Sequence, residues 1–131
     1  MVSEPRVTGL GGVFFKAKDT QALAEWYRAH LGIPVEDGGW AVLRWRDHDE
    51  PSRVGSTVWA VFEEKSDYFG SPGQRAMINY RVADLDAVLG ALRSEGVTVD
   101  ETVHSDENGR FGWITDPEGN RIELWQPPEG R

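Results

Sequence analysis

The sequence predicts one α+β domain built from two tandem β-α-β-β-β units around a small-molecule cavity. Three observations carry this reading. Asp19 and Asp84 stand 65 residues apart, half of the 131-residue chain, and each ends an alternating segment and starts a helical one. The alternation has the period of two that marks a strand with one face on a core. Each helical segment closes on a glycine, Gly32 or Gly96, a residue that accepts the left-handed conformation at a helix end. The repeat units cover about residues 8–62 and 74–127 of a single domain spanning 1–131.

The first strand puts Val13, Phe15 and Ala17 on one face and Gly12, Phe14 and Lys16 on the other. Its counterpart puts Ala76, Ile78, Tyr80 and Val82 on one face, and Arg75, Met77, Asn79 and Arg81 on the opposite one. Asp19 is placed to cap a helix whose apolar stripe is Leu23, Trp26, Tyr27 and Leu31; Asp84 precedes a stripe of Leu85, Val88, Leu89 and Leu92. An aspartate in that place accepts hydrogen bonds from the free N–H groups of the first turn. The stripes must pack on the apolar strand faces, which predicts Trp26 and Trp59 in the core and leaves the opposite strand faces for a cavity. Short strands are expected over 34–37, 40–46 and 56–62, and again over 97–103, 110–115 and 121–126. Gly38-Gly39, Asn108-Gly109 and Asp116-Pro117-Glu118-Gly119 mark the turns. Loop 47–55 is polar and expected to be exposed, and segment 63–73 joins the halves. Alternation leaves the facing of Trp40, Trp45 and Trp113 open.

Composition excludes several classes of function. The formal charge is −8, from 22 acidic against 14 basic residues, with no Lys/Arg cluster of the kind nucleic acid requires. No apolar run approaches the roughly 20 residues of a membrane span. Cysteine is absent, which removes disulfides, thiol nucleophiles and zinc–thiolate sites. The start, Met1-Val2-Ser3-Glu4-Pro5, has neither a basic region nor an apolar stretch, so a signal peptide is not expected and the cytoplasm is the expected location. His30, His48 and His104 have no metal-pair spacing, and Gly9-Leu10-Gly11-Gly12 does not fit a dinucleotide-binding loop.

The segment Asp116-Pro117-Glu118-Gly119-Asn120-Arg121-Ile122-Glu123-Leu124 reads D-P-x-G-N-x-hydrophobic-E-hydrophobic. With the doubled strand–Asp–helix–Gly pattern, it resembles the vicinal-oxygen-chelate superfamily, which includes glyoxalase I, bleomycin-resistance proteins and extradiol dioxygenases. The resemblance covers nearly the whole chain. It implies an eight-stranded, incompletely closed sheet around the cavity, a homodimer and, in the enzymes, one metal ligand on the first and last strand of each half. Those positions fall here on Gly12, Met77 and Glu123, with Val58 as the fourth, or Trp59 if a one-residue gap intervenes.

One carboxylate beside a glycine, a thioether and an aliphatic side chain does not hold a catalytic ion, which needs about three protein ligands. The expectation is therefore no metal and no cofactor, and a small-molecule binder similar to the drug-sequestering branch of the superfamily. The alternative is a glyoxalase (lactoylglutathione lyase)-like lyase or a dioxygenase that uses Glu123 with ligands supplied elsewhere, for instance by a partner subunit. Phe14, Met77, Asn79, Arg81, Glu123 and Trp125 are the expected ligand-binding residues, because alternation places them on faces not used for helix packing. The overall acidity suits a cationic ligand, whereas Lys16, Arg75 and Arg81 on those faces suit an anionic one. Distant charges are screened beyond about 8 Å, so the local cations favour a small aromatic or carbonyl compound with negative charge. No residue is assigned a catalytic role.

Overall fold

The computed structural model describes residues 6–131, so the reading of residues 1–5 lies outside the described residues. Both alternating segments form strands, and both aspartates start helices. In chain order these are β1 (Val7–Ala17), α1 (Thr20–Leu31), β2 (Trp40–Arg46), β3 (Val54–Glu63), β4 (Ala76–Val82), α2 (Leu85–Ser94), β5 (Thr98–Val99), β6 (His104–Asp106), β7 (Gly109–Thr115) and β8 (Arg121–Gln126). The Asp19 carboxylate accepts from the Ala22 N–H at 2.9 Å, and Asp84 accepts from Ala87 at 3.1 Å. Gly32 and Gly96 end the helices at φ 67° and 82°.

The strands form one open eight-stranded sheet in the order β2-β3-β1-β4-β8-β7-β5, with β6 added on β7. The halves meet at the antiparallel β1–β4 pair, and each closes inward through a parallel pair, β1–β3 or β4–β8. The helices cover one face of the sheet. Under α1, Ala24, Val35, Ala41, Trp59 and Val61 pack with Phe15 and Tyr27; under α2, Val82, Leu85, Leu89 and Leu124 do the same. On the other face Phe14, Ala60, Phe69, Met77 and Trp113 form a third cluster. Contiguous apolar burial of this kind is the main favourable term in folding.

Several expected features are corrected. Residues 34–37 are not a strand. Pro34 has no N–H to donate, the Val35 N–H turns back to the Ile33 carbonyl at 2.8 Å, and the Val35 carbonyl accepts from Arg28 Nε at 2.7 Å. The strand expected over 97–103 shrinks to Thr98–Val99, because the Asp100 carboxylate accepts from the Thr102 N–H at 2.8 Å and turns the chain. The loop expected over 47–55 is shorter, since β3 begins at Val54. Trp26 is not core but 50% exposed, and Leu31 is exposed as well. At about 100° per residue, Trp26 lies some 200° round α1 from the buried Ala24.

Candidate functional site

Register across the sheet builds the site. Gly12 stands opposite Val58 on one side and Asn79 on the other; Asn79 stands opposite Glu123, which in turn faces Trp113. Glu123 is 2% exposed, so its carboxylate must find partners inside the protein. It accepts from Asn79 Nδ2 at 2.5 Å, from Trp113 Nε1 at 3.0 Å and from the Tyr68 hydroxyl. Burial pushes its pKa up; the three donors, with a weaker effect of Arg121, pull the other way. Arg121 is itself paired with Asp100 at 3.2 Å and lies over the Trp113 ring at 5.2 Å. The Tyr68 hydroxyl is pushed up too, first by burial and then by the Glu123 charge. Tyr68 comes from the segment joining the halves and is held by stacking on Phe62, with centroids 5.5 Å apart and planes 11° apart.

Asn79, 1% exposed, has given its amide N–H to Glu123, and its Oδ1 has no protein partner. That oxygen lies over Gly11, the extra residue where the β1–β4 register shifts between Leu10 and Gly12. A Cβ on Gly11 would stand 2.0 Å from Asn79 Oδ1, and one on Gly12 would stand 2.7 Å from the Phe14 ring. No side chain fits at either position with its neighbours in place.

A cavity of about 320 Å³ opens above this row. Phe14, Trp40, Val42 and Val58 line it from the first half; Asn79, Phe111, Glu123 and Trp125 line it from the second. Phe111 and Trp125 are stacked with nearly parallel planes, 6° apart in angle with centroids 6.2 Å apart. Asn108 and Arg131, both exposed, stand at the rim, with Arg131 donating to Asn108 Oδ1 at 3.4 Å. The wider groove beside α1 is bordered by exposed helix positions such as Gln21 and Glu25.

Four of the six expected binding residues, Phe14, Asn79, Glu123 and Trp125, thus stand round one cavity. Met77 lies in the apolar cluster with Phe14, Phe69 and Trp113. Arg81 lies behind the cavity wall, its guanidinium between the Trp45 and Trp125 rings at 5.4 and 5.1 Å and donating to the main-chain oxygens of Ser56 and Arg131. Arg75 pairs with Glu64 at 3.1 Å, and Lys16 lies 5.4 Å from the Phe69 ring centre. None of these three cations lines the cavity, so the residues expected to favour an anionic ligand do not reach it.

Sequence reasoning did not single out Tyr68, Trp40, Phe111 or Trp113 for the site. Trp113 carried a signal, since it and Glu123 stand five residues either side of Glu118 in the turn and so face each other across β7 and β8. Tyr68 carried none, because it arrives from an irregular segment.

The register also moves one of the positions implied by the superfamily. Phe14 and Asn79 are equivalent in the repeat, 65 residues apart; Phe14 pairs with Ala60 and Asn79 with Glu123, which are only 63 apart. Ala60, rather than Val58, is the counterpart of Glu123. The four positions are then Gly12, Ala60, Met77 and Glu123. Among the described residues no three His, Cys, Asp or Glu side chains gather in one place, and the Glu123 oxygens are already engaged by protein donors. These residues do not fit a divalent metal ion.

A family model for the glyoxalase-like domain matches residues 12–125. The structure is similar to methylmalonyl-CoA epimerase from Mycobacterium tuberculosis, at 25% identity over 98% of this chain and 93% of that chain, with a TM-score of 0.66. A variant methylmalonyl-CoA epimerase from Streptomyces coelicolor, in complex with 2-nitronate-propionyl-CoA, is 25% identical over 92% of this chain and 98% of its own, with a TM-score of 0.67. No curated protein matches. Among the described residues no helix is long and apolar enough to cross a membrane.

Proposed function

The chain belongs to the glyoxalase-like domain family, and from that premise we propose that it is a metal-independent small-molecule binding protein whose ligand occupies the Phe14–Glu123 cavity. The observation that carries this reading is the condition of Glu123. It is the one acidic side chain lining the cavity among the described residues, and three protein donors already hold its carboxylate. Gly12 and Ala60 offer no ligand atom, and Met77 offers only a thioether, a poor ligand for hard cations. Phe14, Phe111 and Trp125 supply flat apolar walls, the usual lining of a small-molecule site.

The similar structures named above are methylmalonyl-CoA epimerases, enzymes whose structures include complexes with methylmalonyl-CoA and with 2-nitronate-propionyl-CoA. Epimerisation removes a proton from one face of a carbon and returns one to the other, which calls for two positioned proton carriers or one free to serve both faces. The cavity supplies one carboxylate, and three protein donors hold it in place, which favours binding over that reaction. The reading includes a homodimer acting in the cytoplasm, with the edge strand β2 open to a partner.

Elemental analysis of the purified protein, combined with mass spectrometry of compounds it carries, tests the proposal. The expected result is no stoichiometric zinc, nickel, iron or manganese, and ligand binding that survives a chelator. One tightly bound ion per chain, lost together with binding on chelation, overturns it.

A further inference from the structure

We propose that the ligand of this cavity donates an N–H or O–H to Asn79 Oδ1, so that the site takes flat neutral or cationic ring compounds bearing a donor and rejects anions. The inference rests on the cavity being the binding site and adds the chemistry it selects.

The geometry points to it in three steps. Glu123 Oε2 accepts from Tyr68 and Trp113, and Oε1 accepts from Asn79 Nδ2. An ionised carboxylate needs a donor on that second oxygen, so the Asn79 amide must turn its N–H side to Glu123 and its Oδ1 away. That oxygen is buried without a partner, a state that native proteins seldom tolerate and that a ligand donor would relieve. Gly11, which has no side chain, leaves the room in which this oxygen sits, 2.0 Å from where a Cβ would lie.

Charge at this end of the cavity then decides the ligand class. Asn79 Oδ1 and the Glu123 carboxylate both present negative charge, and Lys16, Arg75 and Arg81 are turned elsewhere. Arg131 is the one cation lining the cavity among the described residues, and it stands at the rim. An anion placed against Asn79 would meet two acceptors and no donor. The parallel Phe111 and Trp125 rings set the orientation in which a further ring would stack.

Indole and benzofuran test this directly, having one shape and differing in an N–H against an ether oxygen. Titration of ¹⁵N-labelled protein, followed at the tryptophan side-chain N–H signals, should give indole a preference of roughly three- to tenfold. Glu123→Gln supplies the second arm. Its carboxamide oxygen still accepts from Trp113 and Tyr68, while its N–H₂ faces Asn79, so the Asn79 amide must turn over and point Nδ2 into the cavity. The preference for indole should fall to one or below. The wild-type comparison stands alone if that variant does not fold.

Equal binding of the two compounds by wild type, or a preference unchanged in Glu123→Gln, overturns the donor inference while leaving the cavity as a binding site. Binding of neither at millimolar concentration, or shifts confined to Trp26 on the outer face of α1, overturns both.

Discussion

In the first half the cavity wall is Phe14, Trp40, Val42 and Val58; in the second it is Asn79, Phe111, Glu123 and Trp125. The two halves nevertheless start their helices with the same aspartate contact and end them on the same left-handed glycine. Repeat positions on the inner face have separated completely: Phe14 answers to Asn79, Ala60 to Glu123, and Gly12 to Met77. The repeat therefore preserves instructions to the backbone, while the chemistry of the cavity is concentrated in one half. A ligand entering between an apolar wall and a polar one has a preferred way round, which two equal halves would not impose.

The same contrast is sharpest in stability under the helices. Leu89 of α2 is 2% exposed, and its repeat counterpart in α1 is already Ala24. Leu89→Ala should cost about 2–5 kcal/mol, as buried leucine truncations do, measured by urea unfolding. A cost under about 1 kcal/mol would mean the second half closes over the gap, and that its core is no more demanding than the first.

The polar half offers the next test. Tyr68→Phe removes one donor from the Glu123 carboxylate and should cost about 1–2 kcal/mol at neutral pH. The charge itself has a pH signature. Burial holds the Glu123 pKa above the ordinary value, so the folded protein binds that proton more tightly than the unfolded chain. Stability from this group is full below the ordinary glutamate pKa and is lost as pH rises through the raised one. The melting temperature of wild type relative to Glu123→Gln should fall between mildly acidic and neutral pH. A flat difference would show that the carboxylate is not desolvated as its burial implies.

Where the halves agree, effects should agree. Asp19→Ala and Asp84→Ala should each cost about 1 kcal/mol, because both remove an equivalent helix cap. A several-fold difference between them would show that the shared capping is unequal in strength. The smallest effect is expected outside the repeat logic: Trp26→Ala on the exposed face of α1 should stay within about 0.5 kcal/mol, as judged by thermal unfolding.

Most of the fold was legible because it is written in local, periodic signals. Alternation marked β1 and β4, and aspartates and glycines bracketed both helices. What failed was decided by contacts distant in sequence or by side chains competing for the backbone. Pro34 and Arg28 dissolved an expected strand, and the angular position of Ala24 left Trp26 outside. The site was partly legible for the same reason. Asn79, Glu123 and Trp125 follow from strand parity, but parity says only which face a residue takes. It does not say that Arg81 is clamped between Trp45 and Trp125, nor that Tyr68 reaches Glu123 from an irregular segment.

The place of Gly12 bears on which substitutions the chain can accept. The Phe14 ring occupies the room that a side chain there would need, 2.7 Å from where its first carbon would lie, with the Val58 carbonyl at 3.1 Å on another side. Phe14 in turn is wedged against Phe62 within a buried cluster. A histidine placed at this position would then be harmful until the phenylalanine had changed too, and losing the phenylalanine alone would open a void. Each change is opposed by the other, so a metal ligand cannot be introduced here by one substitution, and the cavity keeps its aromatic walls and single carboxylate.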